Sequence, residues 1–355
     1  MISFYPGPSR LYSSIPAFMQ EACEKGVLSI NHRSPEFVEI SKKLISLLKQ
    51  KLRIPEDYTI FFTSSATECW EIIAQSLIKE KSFHLYNGAF GEKWMEYTQK
   101  LRPQARGKQF GLEEIIDPDY LPVLEDAELI ALTQNETSNG TELSTDTLRS
   151  YRLRYPQKLI AVDATSSMAG VLLEFDQADV WFASVQKCFG LPAGMALMIC
   201  SPAAVRKGLE IGEKDHYNSF TAMVERMKDF QTTYTPNVLG IFLLMKVMEM
   251  VPDIRETDAN QRKNAGLWYA MLREMKEMKL LIENNAVRSG TVIALSGEEG
   301  LISRLKKEAK IEGILLGNGY GRWKANTVRI ANFPAIEPQE FHKLKDFLTR
   351  FGLIV

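Results

Sequence analysis

Between residues 58 and 200 the chain alternates short apolar runs with amphipathic stretches, and this rhythm constrains the fold more than any other feature. Strands are predicted at YTIFF (58–62), SFHLY (82–86), ELIALT (128–133), KLIAVD (158–163), DVWFAS (179–184) and MALMIC (195–200). Helical patterns separate several of them, such as ATECWEIIAQSLIKE after Thr63 and GEKWMEYTQKL after Phe90. Continuous apolar strands joined through helices form a mainly parallel sheet covered by helices, so an α/β large domain is expected.

The texture changes beyond Pro236. Long helical patterns run through NVLGIFLLMKVMEMV and ETDANQRKNAGLWYAMLREMKEM, followed by strand, helix, strand and helix in TVIALS, EEGLISRLKKEA, TVRIANF and PQEFHKLKDFLTRF. This predicts a smaller C-terminal α+β domain over 246–355, after a large domain over 16–245. The first residues, 1–15, form a segment expected to pack near the active site.

A chain of 355 residues that is 45% hydrophobic can fill two such cores. Its 43 basic and 44 acidic residues leave a net charge of -1, so no global field favours nucleic acid or an anionic membrane. The longest uncharged run, GLPAGMALMICSPAAV, holds two prolines and falls short of the roughly 20 residues a membrane helix needs. MISFYPGPSR lacks an export pattern, and Cys23, Cys69, Cys188 and Cys200 show neither zinc spacing nor a disulfide framework. A cytoplasmic protein with small-molecule substrates and no metal is expected.

Three strand ends carry chemistry. TSSAT, after the first strand, leads directly into a helix, and the free amides there suit a phosphate, although Ser64, Ser65 or Thr67 could simply cap the helix. Asp163 ends LIAVD, and Lys187 follows DVWFASV in SVQKCFGLPAG. An apolar strand that delivers a lysine to its end either exposes the amine or uses it. A lysine, an acid and a helix start on separate strand ends are what pyridoxal 5'-phosphate requires: a Schiff-base lysine that is also a proton carrier, an acid for the pyridine nitrogen, and a phosphate cradle. Ser184 and Lys187 also match the S-x-x-K motif of acyl-transferring enzymes, but Gly190, Pro192 and Gly194 oppose the helix which that motif needs.

Taken in order, FYPGPS, INHRSPEF, NGAFGEKW, NETSNG, VDATSS, SVQKCFGLPAG, TYTPNVLG and VRIANFP resemble the segments of the class V aminotransferases of fold type I, and among them the phosphoserine aminotransferases. The resemblance spans nearly the whole chain. It implies that Lys187 carries pyridoxal phosphate, Asp163 binds its pyridine nitrogen, Phe90 stacks on its ring and Thr137 approaches its phenolic oxygen. Ser65, Ala66, Thr67 and Gln186 would hold the phosphate, with Thr235 reaching it from the second subunit of a homodimer. His32 and Arg33 would bind the distal group of the substrate and Arg329 its α-carboxylate, the two groups meeting across the cleft. Read without the resemblance, Phe90 could be plain core, His32 and Arg33 surface charge, and Arg329 part of a structural ion pair.

The chain also departs from that pattern. TSSAT stands where a glycine-rich stretch with an arginine is usual, and Tyr234 where an asparagine is expected. No G-H-R segment occurs, and NGYGRWKANTVRIAN offers Tyr320, Arg322 and Lys324 instead. The expected activity is transamination between O-phospho-L-serine and 2-oxoglutarate. The alternatives are a serine or alanine aminotransferase using glyoxylate, another class V enzyme such as a desulfurase, or a cofactor-binding regulator without catalysis. A desulfurase needs a late cysteine, and none follows Cys200.

Overall fold

A computed structural model describes residues 1–120 and 126–354. In chain order its strands are β1 (Ile2–Phe4), β2 (Thr59–Thr63), β3 (Ser82–Tyr86), β4 (Arg106–Gln109), β5 (Leu129–Thr133), β6 (Asn135–Glu136), β7 (Thr141–Glu142), β8 (Leu159–Asp163), β9 (Val180–Ser184), β10 (Ala196–Cys200), β11 (Met278–Leu280), β12 (Val292–Gly297), β13 (Ile314–Asn318) and β14 (Thr327–Ala331). Seven form one sheet in the order β2-β10-β9-β8-β5-β3-β4, and five form another in the order β1-β13-β14-β12-β11.

The large sheet is parallel from β4 through β9, and only β10 runs against its neighbours. Strands β5, β8, β9 and β10 are buried along their full length, as their unbroken apolar sequences require. At one edge lies β4, whose Arg-Gly-Lys-Gln sequence is exposed throughout and blunts that edge against further pairing. Because β10 is antiparallel to both β2 and β9, those two strands point the same way. The carboxyl ends of β2, β5, β8 and β9 therefore open onto one side, where ligands of such sheets bind.

Each sheet has its own hydrophobic core, one built on the large sheet and one on residues of 268–354 together with Phe4 and Cys188. The sequence reading located the six central strands within one residue but missed β1, β4, β11 and β13 and the short hairpin strands β6 and β7. Strand β4 has no apolar residue to announce it. Strand β1 exists only because it pairs in parallel with β13, Ile2 opposite Ile314.

Candidate active site

The ends of these strands, the amino-terminal segment and the second sheet enclose a cavity of about 390 Å³. Lys187, Asp163, Thr137, Phe90, Gln186, Ala66, Thr67 and Arg329 all line it. Lys187 lies three residues beyond β9, in a turn that is not helical, and its side chain is buried. Its amine donates to Thr137 Oγ1 at 2.7 Å and to Ser166 Oγ at 2.9 Å. Burial pulls its pKa down to about 8, against the opposing pull of Asp163, and the guanidinium of Arg329 adds to the lowering. The stem of Lys187 rests on Gly7, where any Cβ would come within 2.9 Å of Cε, so the amino-terminal segment forms one wall of the amine's channel.

Asp163 ends β8 and is buried facing the cavity. Its Oδ1 accepts the amide of Thr165 at 2.9 Å, and burial raises its pKa. The helix Ala66–Ser76 starts at the same rim. Ser65 caps this helix, its hydroxyl accepting the amide of Glu68 at 3.1 Å, so that hydroxyl is already engaged and lies outside the cavity lining. Ser184 Oγ accepts the Ala66 amide at 2.9 Å and ties β9 to the helix start. Thr67, exposed to the cavity, presents a hydroxyl and an amide with no acceptor among the described residues.

Thr137 sits in the hairpin of β6 and β7, and the turn depends on Gly140, whose φ of +79° and approach to the Val292 carbonyl leave no room for a side chain. Next to Thr137, the buried carboxylate of Glu136 accepts from the amides of Phe90, Gly91 and Ser138 and from the Ser138 hydroxyl. It thereby fixes the first turn of the helix Ala89–Leu101 that carries Phe90. The Phe90 ring stacks on Tyr320 from the second sheet's loop, centroids 4.9 Å apart at 18°. The Tyr320 hydroxyl takes a 2.6 Å hydrogen bond from Lys93.

Arg329, on β14, donates through Nε to the Asn318 carbonyl at 2.6 Å and through Nη1 to the Thr137 carbonyl at 2.7 Å. Part of its donor set remains open to the cavity. Arg329 has no ion-pair partner among the described residues.

His32, Arg33 and Thr235 stand apart from this cavity. Arg33 instead donates to Gln231 at 2.8 Å, which places it beside the stretch that carries Thr235. Within one chain, then, His32 and Arg33 do not line the cavity that holds Arg329. The sequence reading passed over Glu136, Ser166, Asn135 and Lys93. Glu136 and Ser166 lie inside NETSNG and VDATSS, so the motif positions held the signal and only the roles were missed.

Comparison with known proteins decides the family. A family model described as aminotransferase class-V matches residues 6–321. The chain belongs to the class-V aminotransferases. A phosphoserine aminotransferase of Corynebacterium glutamicum is 28% identical over 332 residues, covering 90% of this chain and 86% of the relative. A solved phosphoserine aminotransferase from Cytophaga hutchinsonii superimposes with a TM-score of 0.92 at 33% identity, over 98% of both chains. An alanine–glyoxylate aminotransferase from Nostoc sp. has the same fold, with a TM-score of 0.85 at 18% identity over 98% of this chain and 94% of that one. The chain is therefore a transaminase, an enzyme acting on small molecules. No helix among the described residues is long and apolar enough to cross a membrane.

Proposed function

We propose that this transaminase exchanges the amino group between O-phospho-L-serine and 2-oxoglutarate, with pyridoxal 5'-phosphate held in the cavity described above. The observation that carries the reading is a buried lysine of depressed pKa sharing one cavity with a buried aspartate and an arginine that has no carboxylate partner. The residues present fit the cofactor. Asp163 would take the pyridine nitrogen, Phe90 the ring face, Thr137 the phenolic oxygen, and Gln186 with the helix start at Ala66 and Thr67 the phosphate. Bound there, pyridoxal phosphate supplies a carbonyl for amine exchange and a ring that accepts the electrons left at the substrate's Cα.

The protein's own residues do the rest. A pKa of about 8 leaves an appreciable fraction of Lys187 neutral near pH 7.5, able to take the proton from the substrate Cα. Thr137 and Ser166 hold the amine in place. The open part of the Arg329 guanidinium would receive the α-carboxylate, common to every amino acid.

We further propose a cytoplasmic homodimer in which His32, Arg33 and Thr235 of one protomer complete the site of the other. Their position away from their own cavity, with Arg33 tied to Gln231 near Thr235, supports this. The four free cysteines suit a reducing compartment. We take residues 1–15, 16–245 and 246–355 as entry segment, large domain and small domain, a division that the two separate cores support.

The missing G-H-R segment keeps one alternative in play, a serine or alanine aminotransferase using glyoxylate. A panel of amino donors with 2-oxoglutarate and with glyoxylate distinguishes the two. Wild type is expected to prefer phosphoserine and glutamate. Arg33→Ala is expected to lose those two by about 2 to 5 kcal/mol in transition-state binding while sparing alanine and serine. A preference of wild type for alanine or serine with glyoxylate assigns the alternative.

A further inference from the structure

A second cavity, of about 340 Å³, lies away from the active site, between the helix Ile254–Leu272 and the residues that lead into β12. Arg262, Arg273 and Arg288 line it together with Tyr269 and Asn285, and no carboxylate does. Arg262 is already neutralised by Asp258 at 2.9 Å and Glu142 at 3.5 Å. Arg273 and Arg288 form no ion pair among the described residues.

Those two guanidiniums are in an unusual position. Arg273 has only the neutral side-chain oxygen of Asn285, at 3.3 Å. The Arg288 guanidinium lies 4.6 Å from the Tyr269 ring, and its Nη1 is buried with no hydrogen-bond partner. Burial lowers its pKa and the nearby charge of Arg273 adds to that, against the opposing pull of Tyr269 and of the more distant carboxylate of Glu113. A buried donor left unmade costs about 1 to 3 kcal/mol, and like charges facing one cavity add to that. Among the described residues, a methyl group built on Gly266, in the cavity wall, would meet no atom within 4 Å.

We propose that this cavity is an anion-binding site for a small, doubly charged oxyanion, the phosphate of a monoester or the paired carboxylates of a dicarboxylic acid, held by Arg273 and Arg288. Planar guanidiniums present paired N–H groups that match both anions. The volume admits a metabolite of a few carbons. The site is also wired to the catalytic cavity. The main chain of Arg288 pairs with that of Thr141 independently of the guanidinium, the Ser289 amide donates to the Gly140 carbonyl at 2.9 Å, and Ser289 Oγ accepts from Asn135 Nδ2 at 2.8 Å. These contacts seat the hairpin that holds Thr137 against Lys187.

The test is equilibrium dialysis of the cofactor-loaded enzyme against labelled inorganic phosphate and, separately, labelled succinate, with the active site blocked by aminooxyacetate, a monocarboxylate that condenses with the cofactor aldehyde and belongs to neither ligand class. At least one of the two is expected to bind wild type under these conditions. Arg273→Gln with Arg288→Gln should weaken that binding at least about tenfold, the loss expected for two charge-assisted contacts, while kcat and KM measured in anion-free buffer stay within about twofold. Arg273→Gln alone changes an exposed side chain that the fold does not need, and it should weaken binding several-fold. Which anion binds names its chemical source. Binding of neither, or binding unchanged in both variants, overturns the proposal.

Discussion

The amine of Lys187 donates to the hydroxyl of Thr137 across 2.7 Å, and the carbonyl of the same threonine accepts from Arg329. One residue of a short hairpin thus couples the large sheet's lysine to the second sheet's arginine. The hydroxyl favours the charged amine, so Thr137→Val should lower the Lys187 pKa by about one to two units, since a hydrogen bond to a charged group is worth roughly 1.5 to 3 kcal/mol. The rate of pyridoxal phosphate incorporation into the cofactor-free protein, followed against pH, should shift its acid limb downward by that amount.

Lys187 also makes the cofactor-free protein pH-dependent in stability. Its pKa falls from 10.5 in the unfolded chain to about 8 when folded, so between those values the unfolded state binds more protons and stability rises with pH. Lys187→Met removes this term. In urea titrations the variant should be more stable than wild type at pH 7 by about 3 kcal/mol, with the gap closing as pH approaches 10. A gap that is constant or widens with pH would falsify the assignment of the shift to burial of the amine.

Much of this site was legible in the sequence because its parts sit where apolar strands stop. Asp163 and Lys187 stood out as charges at the ends of otherwise uncharged runs, and the cavity does contain both. The contact that Arg33 makes was not legible in this way. Its neighbour Gln231 is 198 residues away, and no pattern in INHRSPEF points to that contact. Glu136 was overlooked because a buried acid that serves four main-chain and hydroxyl donors looks, in sequence, like an ordinary turn residue.

Glu136→Gln should be costly for that reason. An amide oxygen cannot serve the donors that two carboxylate oxygens serve, and its NH₂ would face amides. Unfolding free energy is expected to fall by about 1 to 3 kcal/mol, and the start of the Phe90 helix to loosen. Urea denaturation gives the first quantity, and amide exchange at Gly91 the second.

Asp163→Asn should keep the fold and reduce transamination by roughly a hundredfold or more, the usual loss when a preorganised charge is removed from a reacting centre. Initial rates and near-ultraviolet circular dichroism on one preparation separate the two effects.

Hybrid complementation tests the shared site. Lys187→Ala and Arg33→Ala should each be poorly active on phosphoserine alone. Mixed and allowed to exchange subunits, they should regain activity, because a hybrid holds one site with both residues intact. No recovery in a mixture shown by mass to contain hybrids would place Arg33 outside the partner's site.

The pairing of β1 with β13 carries a consequence for how the protein is made. Ile2 leaves the ribosome long before its partner Ile314, with most of both domains synthesised in between. The segment just after β1, Tyr5 to Pro8, forms a wall of the catalytic cavity, so that wall stays unanchored until the second sheet has formed. The large sheet, whose seven strands all lie between Thr59 and Cys200, can fold during synthesis, whereas the pocket is completed only afterwards. Capacity to bind the cofactor should therefore be acquired late, as a step that trails the bulk of chain collapse.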